Sequence, residues 1–319
     1  MPAVLSDTTL SCCVCGATEA VSWRTAADNL LGGSETWRAV RCARCGTRRL
    51  DPRPAPETMG RFYAPDTYAR AEAPGSEIGK RLDTLAEHLA ERGSRLAPAP
   101  GDLIDVGCGD GRFLLAMQQR GWRVTGSETD PVAADLARRR TGATILEEPL
   151  EAMSLPEASY DLVSLLHVLE HVPDPRATLT ICHRLLRPGG ALLLDLPNAG
   201  SPEASLFGAN WYHLDLPRHL WGFTPQSLVR LTEEIGFTVE SVRQYPLLFS
   251  PQSARNALAH LRHGRQSGNS RASAPAGPAR GSGGRLQTTV FLRLLDLSER
   301  MAAARMPGEI LELIARRPA

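Results

Sequence analysis

Apolar runs of strand length alternate with segments of helical character through the middle of the chain. The apolar runs lie at residues 103–106, 123–128, 143–146, 160–166 and 191–197. Residues 113–117 and 131–141, which separate the first runs, are interpreted as helices. Strands separated by helices predict a parallel sheet of the α/β class, with ligand sites at the carboxyl ends of its strands.

The pattern continues on both sides of this alternation. Residues 76–96 carry leucine and isoleucine at helical spacing before the first strand. After the fifth strand, Thr224 is a typical N-cap for a helix that ends at Gly236. Residues 237–244 predict a sixth strand, and residues 309–315 form a last apolar run. The sheet is therefore expected to have seven strands.

A glycine-rich turn follows the first strand of the alternation. The strand ends at Asp105, and Gly107, Gly109 and Gly111 come next, which lets the backbone turn sharply and approach a ligand. The third position of the dinucleotide-binding pattern falls on Arg112, so that pattern fails. The acidic residues around the loop would repel a pyrophosphate, whereas they suit a ligand that carries an ammonium or sulfonium charge.

Three further positions at strand ends are candidates for contacts to such a ligand. Glu128 ends the second strand about 20 residues beyond the loop, where a carboxylate can accept hydrogen bonds from both ribose hydroxyls. Glu148 follows the third strand and could accept from an adenine amino group, or it could be a solvated loop carboxylate. His167 follows the fourth strand, close to the expected ligand, although a packed structural histidine is the alternative.

Two cysteine pairs near the start of the chain predict a metal site. Cys12 and Cys15 form one Cys-x-x-Cys-Gly knuckle, and Cys42 and Cys45 form the other. Four thiolates are the closed tetrahedral ligand set of structural zinc. Unpaired buried thiols and a redox pair are the alternatives, and two matched knuckles favour one structural Zn²⁺.

The segment 207–223 has the densest chemistry in the chain. It follows the fifth strand, so we expect it to overhang the edge of the sheet where ligands bind. Its aromatic and charged side chains are candidates for substrate contact: Trp211, Tyr212, Asp215 and Arg218. Its histidines, His213 and His219, are candidate general bases. A packed loop whose histidines have structural partners is the alternative.

Several motifs together resemble one enzyme family. The glycine loop, "HVLEHVPDP" at 167–175, "LLRPGG" at 185–190 and "LLLDLPN" at 192–198 are similar to the core of class I S-adenosylmethionine-dependent methyltransferases. The resemblance implies a Rossmann-like, seven-stranded, mostly parallel sheet with helices on both faces, whose last strand inserts antiparallel between strands five and six. It implies S-adenosylmethionine at the carboxyl ends of the strands. With the cysteine-rich extension, the chain is similar to bacterial enzymes that methylate sugars or other small metabolites.

These features divide the chain into five parts. They are a zinc-ribbon-like domain at 1–50, a linker at 51–75, the methyltransferase core at 76–246, a helical insertion at 247–306 and the last strand at 307–319. Within the insertion, residues 262–285 are rich in Gly, Ser, Pro and Arg and are predicted to be disordered. The insertion is locally basic, which would allow peripheral contact with an anionic membrane, although a solvated linker beside a packed helix is the favoured interpretation.

Composition and charge limit the classes of function. The 319 residues are 42% hydrophobic with a net charge of +1, so no strong field attracts nucleic acid. Neither a transmembrane segment nor a signal peptide is found, which predicts a cytoplasmic protein. We therefore expect methyl transfer to a small-molecule acceptor, such as a sugar, a glycolipid precursor or a natural product. An rRNA methyltransferase with a zinc element and a non-catalytic zinc-anchored scaffold are the alternatives.

Overall fold

A computed structural model describes residues 10–28, 31, 35–63, 76–246 and 308–319. The insertion predicted at 247–306, with its segment 262–285, lies outside the described residues. The same holds for most of the predicted linker, because residues 64–75 are also outside them.

The core of the fold is a seven-stranded sheet in the order β10-β11-β8-β7-β4-β5-β6. Its strands are β4 (Asp102–Val106), β5 (Arg123–Ser127), β6 (Thr144–Leu146), β7 (Tyr160–Leu166), β8 (Leu186–Pro197), β10 (Thr238–Tyr245) and β11 (Ile310–Arg316). The five strands from β4 to β8 run parallel, and β11 pairs antiparallel with both β8 and β10. This confirms the seven-stranded, mostly parallel sheet and the antiparallel insertion of the last strand.

The α-helices of the described residues are α1 (Glu77–Gly93), α2 (Arg112–Gln118), α3 (Pro131–Thr141), α4 (Pro175–Leu185), α5 (Pro202–Phe207) and α6 (Pro225–Ile235). Of these, α2, α3 and α4 connect parallel strands. Local sequence explains their starts, because an oxygen-bearing N-cap and a following proline recur. The Asp130 carboxylate accepts from the backbone amides of Val132 and Ala133, and Thr224 and Ser227 form a reciprocal capping box.

The N-terminal region forms a second sheet in the order β1-β2-β3-β9. It consists of β1 (Ala20–Ala27), β2 (Thr36–Cys42), β3 (Arg48–Leu50) and β9 (Trp221–Gly222). The fourth strand comes from the segment 207–223, which joins this sheet and does not simply overhang the larger one. Apolar residues of both sheets share one core that includes Trp37, Leu194 and Trp221.

The strand interiors explain why the large sheet is stable. Leu103, Ile104, Leu162, Val163 and the leucines of β8 are fully buried, as expected for strands covered on both faces. Within the described parts of the chain, none of the helices combines the length and apolar character that a bilayer span requires.

Candidate active site and cysteine cluster

The glycine loop joins β4 to α2 and requires glycine at two positions at least. Gly107 has φ +69°, and a Cβ there would lie 2.6 Å from Cγ2 of Val168. Gly111 has φ +80°, and a Cβ there would lie 2.9 Å from the backbone of Ala137 in α3. Both the left-handed backbone and the close neighbours exclude a side chain, so the loop lies tightly against the turn after β7 and against α3.

Glu128 is anchored to this loop. Its Oε2 accepts from the backbone amide of Gly109 at 2.9 Å, and its Oε1 accepts from the amide of Asp130 at 2.8 Å. Burial raises the pKa of Glu128, and these amide hydrogen bonds oppose that rise. The structure therefore brings the predicted ribose carboxylate directly to the predicted cofactor loop.

Asp105 lies at the end of β4 beneath the loop and is 2% exposed. Its Oδ1 accepts from the Ser164 hydroxyl at 2.7 Å. Burial raises the pKa of Asp105 to about 7, and the nearby Glu128 carboxylate adds to the rise. An ammonium group close to Asp105 would favour its ionised form, so its burial is compatible with the predicted contact.

The other two predicted cofactor contacts have different surroundings. Glu148 is exposed in the turn after β6, beside Glu147, which pairs with Arg138 at 2.6 Å. His167 lies at the end of β7, with Nε2 3.3 Å from Asp195 Oδ1 and Nδ1 3.5 Å from Glu170 Oε1. Burial lowers the pKa of His167, but the two carboxylates outweigh it and raise the pKa to about 10. His167 is therefore a cation between buried carboxylates.

Backbone hydrogen bonds bring the turn after β7 together with the segment that precedes β9. The carbonyl oxygen of Glu170 accepts from the amides of Leu220 and Trp221 at 2.9 and 3.0 Å. These bonds place the rings of His171 and His219 edge to face, with centroids 4.6 Å apart. Five residues from the two segments form what we term the histidine cluster: His167, Glu170, His171, His213 and His219.

The two candidate bases differ in their surroundings. His213 is buried, its Nε2 lies 3.8 Å from Glu309 Oε2, and burial lowers its pKa well below the usual value. His219 is partly exposed, and its Nδ1 donates to the carbonyl oxygen of His213 at 2.8 Å. Its Nε2 therefore carries the lone pair, 3.8 Å from Asp215 Oδ2 and 4.0 Å from Glu170 Oε1. Of the two, His219 is better placed to accept a proton.

Two of the four predicted substrate contacts have structural roles. Trp211 is 2% exposed and belongs to the core. Arg218 is also 2% exposed, and its guanidinium donates to Asp28, to Asp215 and to the carbonyl oxygen of Phe62. The structure shows packing for Trp211 and ion pairing for Arg218, and substrate contact by these two residues stays a prediction. Tyr212 and Asp215 are partly exposed and stay candidates for that contact.

Sequence reasoning missed three buried carboxylates around this region. Glu170 and Asp195 flank His167, and Glu309 approaches His213. Their positions depend on pairing between β8 and β11 and on the path of the segment 207–223, which local patterns do not reveal. The signal that could have found Glu170 is its place between two histidines in the motif at 167–171.

The four predicted cysteine ligands come together. Cys12, Cys15, Cys42 and Cys45 each offer a sulfur, and these atoms lie within 4.8 Å of one another. The Sγ atoms of Cys12 and Cys45 are 3.4 Å apart, and those of Cys15 and Cys42 are 3.5 Å apart. Sulfurs bound tetrahedrally to one zinc ion lie about 3.8 Å apart, so the residues fit a closed zinc site.

A cavity of about 500 Å³ lies between α1 and the end of β10. Apolar side chains of α1, including Leu82 and Leu85, line it together with the basic residues Lys80 and Arg243. Tyr245, on its wall, donates to Asp195 at 2.5 Å. Side-chain contacts thus lead from Tyr245 on the cavity wall, through Asp195, to His167 of the histidine cluster.

Comparison with known proteins identifies the class. The methyltransferase-domain family matches residues 79–242, and the chain belongs to this family. An S-adenosylmethionine-dependent methyltransferase from Archaeoglobus fulgidus has the same fold, with a TM-score of 0.50 at 15% identity over 73% of this chain and 94% of that one. The protein is an S-adenosylmethionine-dependent methyltransferase of class I.

The curated relatives of this chain include enzymes named as O-methyltransferases. The chain is 33% identical over 171 residues to a ubiquinone biosynthesis O-methyltransferase from Pseudomonas aeruginosa, covering 50% of this chain and 72% of the relative. It is 32% identical over 189 residues to the enzyme of the same name from Cereibacter sphaeroides, covering 54% and 76%.

Proposed function

We propose that this methyltransferase transfers the methyl group to a hydroxyl oxygen of a small molecule. The observation that carries the proposal is the position of the histidine cluster against the glycine loop. Val168, inside the turn that carries His167 and Glu170, is the residue that would meet a Cβ at Gly107. Proton-accepting and cationic side chains therefore lie next to the predicted methyl donor site, and relatives named as O-methyltransferases support an oxygen acceptor.

The donor would be held by residues of the loop and of the strand ends. When bound, S-adenosylmethionine supplies an electrophilic methyl carbon on a cationic sulfur. Gly107, Gly109 and Gly111 leave room for the close approach of its methionine part. Glu128 would accept from the ribose hydroxyls, and Asp105 would balance the ammonium charge. Glu148 is the candidate for the contact to adenine, and His167 is the candidate for a contact to the methionine part.

The acceptor hydroxyl would lie at the histidine cluster. His219 would take its proton through Nε2, because Nδ1 is already donating to a carbonyl oxygen. His213 is the second candidate base. Tyr212 and Asp215, on the same segment, would orient the acceptor. Its apolar part would occupy the cavity beside α1.

We further propose that the four cysteines hold one structural Zn²⁺. None of the seven cysteines, all of which lie in the described residues, forms a disulfide, which agrees with a reducing compartment such as the cytoplasm. The zinc would stabilise the small sheet, whose β3 pairs with β9 two residues beyond His219. The domain boundaries proposed from the sequence stay as stated, with the addition that Trp221 and Gly222 of the core complete the N-terminal sheet.

The N-terminal arginines argue against an RNA substrate. Arg49 is buried and donates to the carbonyl oxygen of Thr18, and Arg48 stacks over the ring of Trp23 at 5.1 Å. Both guanidinium groups make contacts within the protein, which leaves them poorly placed to bind phosphate groups. Arg38, Arg41 and Arg44 are exposed, and Arg38 donates to the carbonyl oxygen of Asp51 at 3.1 Å. Three exposed arginines are too few for a broad RNA surface.

A methyl-transfer screen tests the proposal. The purified chain would be incubated with S-adenosylmethionine bearing a deuterated methyl group and with phenols, sugar nucleotides, lipid-linked sugars and rRNA. We expect a labelled ether on one of the small molecules, at least about 10²-fold slower in His219→Asn. The matched control His183→Asn changes a partly exposed histidine of α4 that lines neither the cavity beside α1 nor the histidine cluster. Label in rRNA alone would contradict the proposal.

A further inference from the structure

Three residues of the histidine cluster have the donor set of a metal site. This site would be distinct from the four-cysteine site. Glu170, His171 and His219 each offer a ligand atom, and these atoms lie within 4.8 Å of one another. Two imidazoles and one carboxylate on one side of an ion are a common set for divalent first-row metals, and they leave positions open.

The hydrogen bonds of both histidines prepare them to bind a cation. His171 Nδ1 donates to the carbonyl oxygen of Arg218 at 3.1 Å, and His219 Nδ1 donates to that of His213 at 2.8 Å. Each ring therefore has its lone pair on Nε2. Metal-binding histidines show this arrangement, in which a backbone carbonyl fixes the ring and its tautomer.

Glu170 supplies an independent observation. Its side chain is 1% exposed, and among the described residues neither carboxylate oxygen receives a hydrogen bond. The contact with His167 Nδ1, at 3.5 Å, is an ion pair beyond good hydrogen-bond length. The His167 cation offsets part of the Glu170 charge, but both carboxylate oxygens still lack a short contact, which a cation bound between Glu170 and the two imidazoles would supply.

We propose that Glu170, His171 and His219 bind one divalent transition-metal cation. The Glu170 oxygen and the His219 Nε2 are 4.0 Å apart, and ligands around one ion lie roughly 3.0–3.5 Å apart. Small rotations of the side chains close the gap. Asp215 is not a ligand, because its carboxylate is occupied by Arg218.

The consequence for catalysis rests on the proposed function, whereas the binding of the ion does not. An acceptor hydroxyl oxygen would bind at an open position of the ion, and its proton would leave to water because the cation lowers its pKa. The oxygen then forms a bond to the methyl carbon, the carbon–sulfur bond breaks, and its electron pair stays on sulfur. With the ion present, it replaces His219 as the group that promotes deprotonation. The favoured acceptor class is then an alcohol or phenol with a second oxygen nearby, which can chelate.

Titration with Co²⁺ tests the site. The protein would first be prepared with one zinc per chain on the cysteines and freed of other ions. Calorimetry and visible absorption would then follow the addition of Co²⁺. We expect one Co²⁺ per chain with weak d–d bands and no thiolate charge-transfer band, which separates this site from the cysteines.

Three variants make the test specific. Glu170→Gln and His219→Asn should each weaken Co²⁺ binding by at least about 100-fold, while the control His183→Asn should bind as wild type does. Zinc content and S-adenosylmethionine affinity report whether each variant is folded. If Glu170→Gln does not fold, the partly exposed His219 still gives the answer.

Three results would overturn the proposal. They are no Co²⁺ binding by the wild-type protein, binding with the thiolate band alone, and wild-type affinity in a folded ligand variant. Co²⁺ binding without methylation of any hydroxyl acceptor would count against the proposed function only. O-Methylation that persists without ions, in protein that does not bind Co²⁺, would count against the metal site only.

Discussion

Replacing Arg218 with methionine should destabilise the fold substantially. The five N–H groups of the guanidinium make six contacts of 2.6–3.1 Å, to Asp28, to Asp215 and to the Phe62 carbonyl oxygen, with Nε–H shared between both oxygens of Asp215. Burial opposes its charge, but the two carboxylates outweigh burial and raise its pKa. Arg218 therefore stays charged and connects the N-terminal sheet with the segment that carries His219.

The size of the effect follows from what the substitution leaves behind. Breaking a buried ion pair from one side costs about 3–5 kcal/mol, mainly because the partner charge stays buried. Asp28 is 7% exposed and would lose its ion pair with Arg218. The Asp215 side chain is 24% exposed, so water can partly solvate it. We therefore expect the lower end, about 3 kcal/mol of unfolding free energy.

Urea denaturation followed by circular dichroism measures this loss. The double variant Asp28→Asn/Arg218→Met should recover about 1–2 kcal/mol of unfolding free energy relative to the single variant, since it also removes the buried carboxylate charge at position 28. Arg95→Met, which breaks an exposed pair with Glu91, is the control and should leave the midpoint unchanged. If Arg218→Met kept wild-type stability and only raised the KM of the acceptor, the structural role would be wrong and substrate contact right.

Three further changes test the donor and zinc sites. Glu128→Ala should weaken S-adenosylmethionine binding about 100-fold in calorimetry, because about 3 kcal/mol of ribose contacts and loop anchoring are lost; unchanged affinity would contradict the ribose assignment. Gly107→Ala should abolish binding while the protein stays folded, since its Cβ would lie 2.6 Å from Val168; a wild-type affinity would show that the loop can relax. Cys15→Ser should lower zinc content below one per chain and lower the thermal midpoint, whereas Cys13→Ser, outside the four-sulfur group, should keep both; equal zinc in the two variants would refute the ligand set.

The parts of the fold that local sequence specifies were predictable. The strand that ends at Val106, the glycine turn and the capped helix at Pro131 depend on neighbours within a few residues. The cysteine knuckles are also local, and their spacing predicts a common site. Glu128 was predictable because a carboxylate at the end of the second parallel strand must lie beside the loop at the end of the first.

The contents of the acceptor region depend on contacts between distant residues. Arg218 donates to Asp28, which lies 190 positions earlier in the sequence. The composition of the segment 207–223 suggested substrate contact for Arg218, because local patterns do not reveal a partner at that distance. Trp221 pairs with Arg49 and completes a sheet that begins near the start of the chain. In the sequence, Glu170 is one residue of the motif at 167–175, and only the hydrogen bonds to its carbonyl oxygen explain how it meets His219.

The identity of the methylated atom tests the central claim most directly. The enzyme would react with S-adenosylmethionine labelled with ¹³C at the methyl carbon, together with the best acceptor from the screen, and the product would be examined by NMR. The account predicts a single new methoxy carbon, absent with Glu128→Ala and strongly reduced with His219→Asn. A methyl group attached to carbon or nitrogen would contradict it.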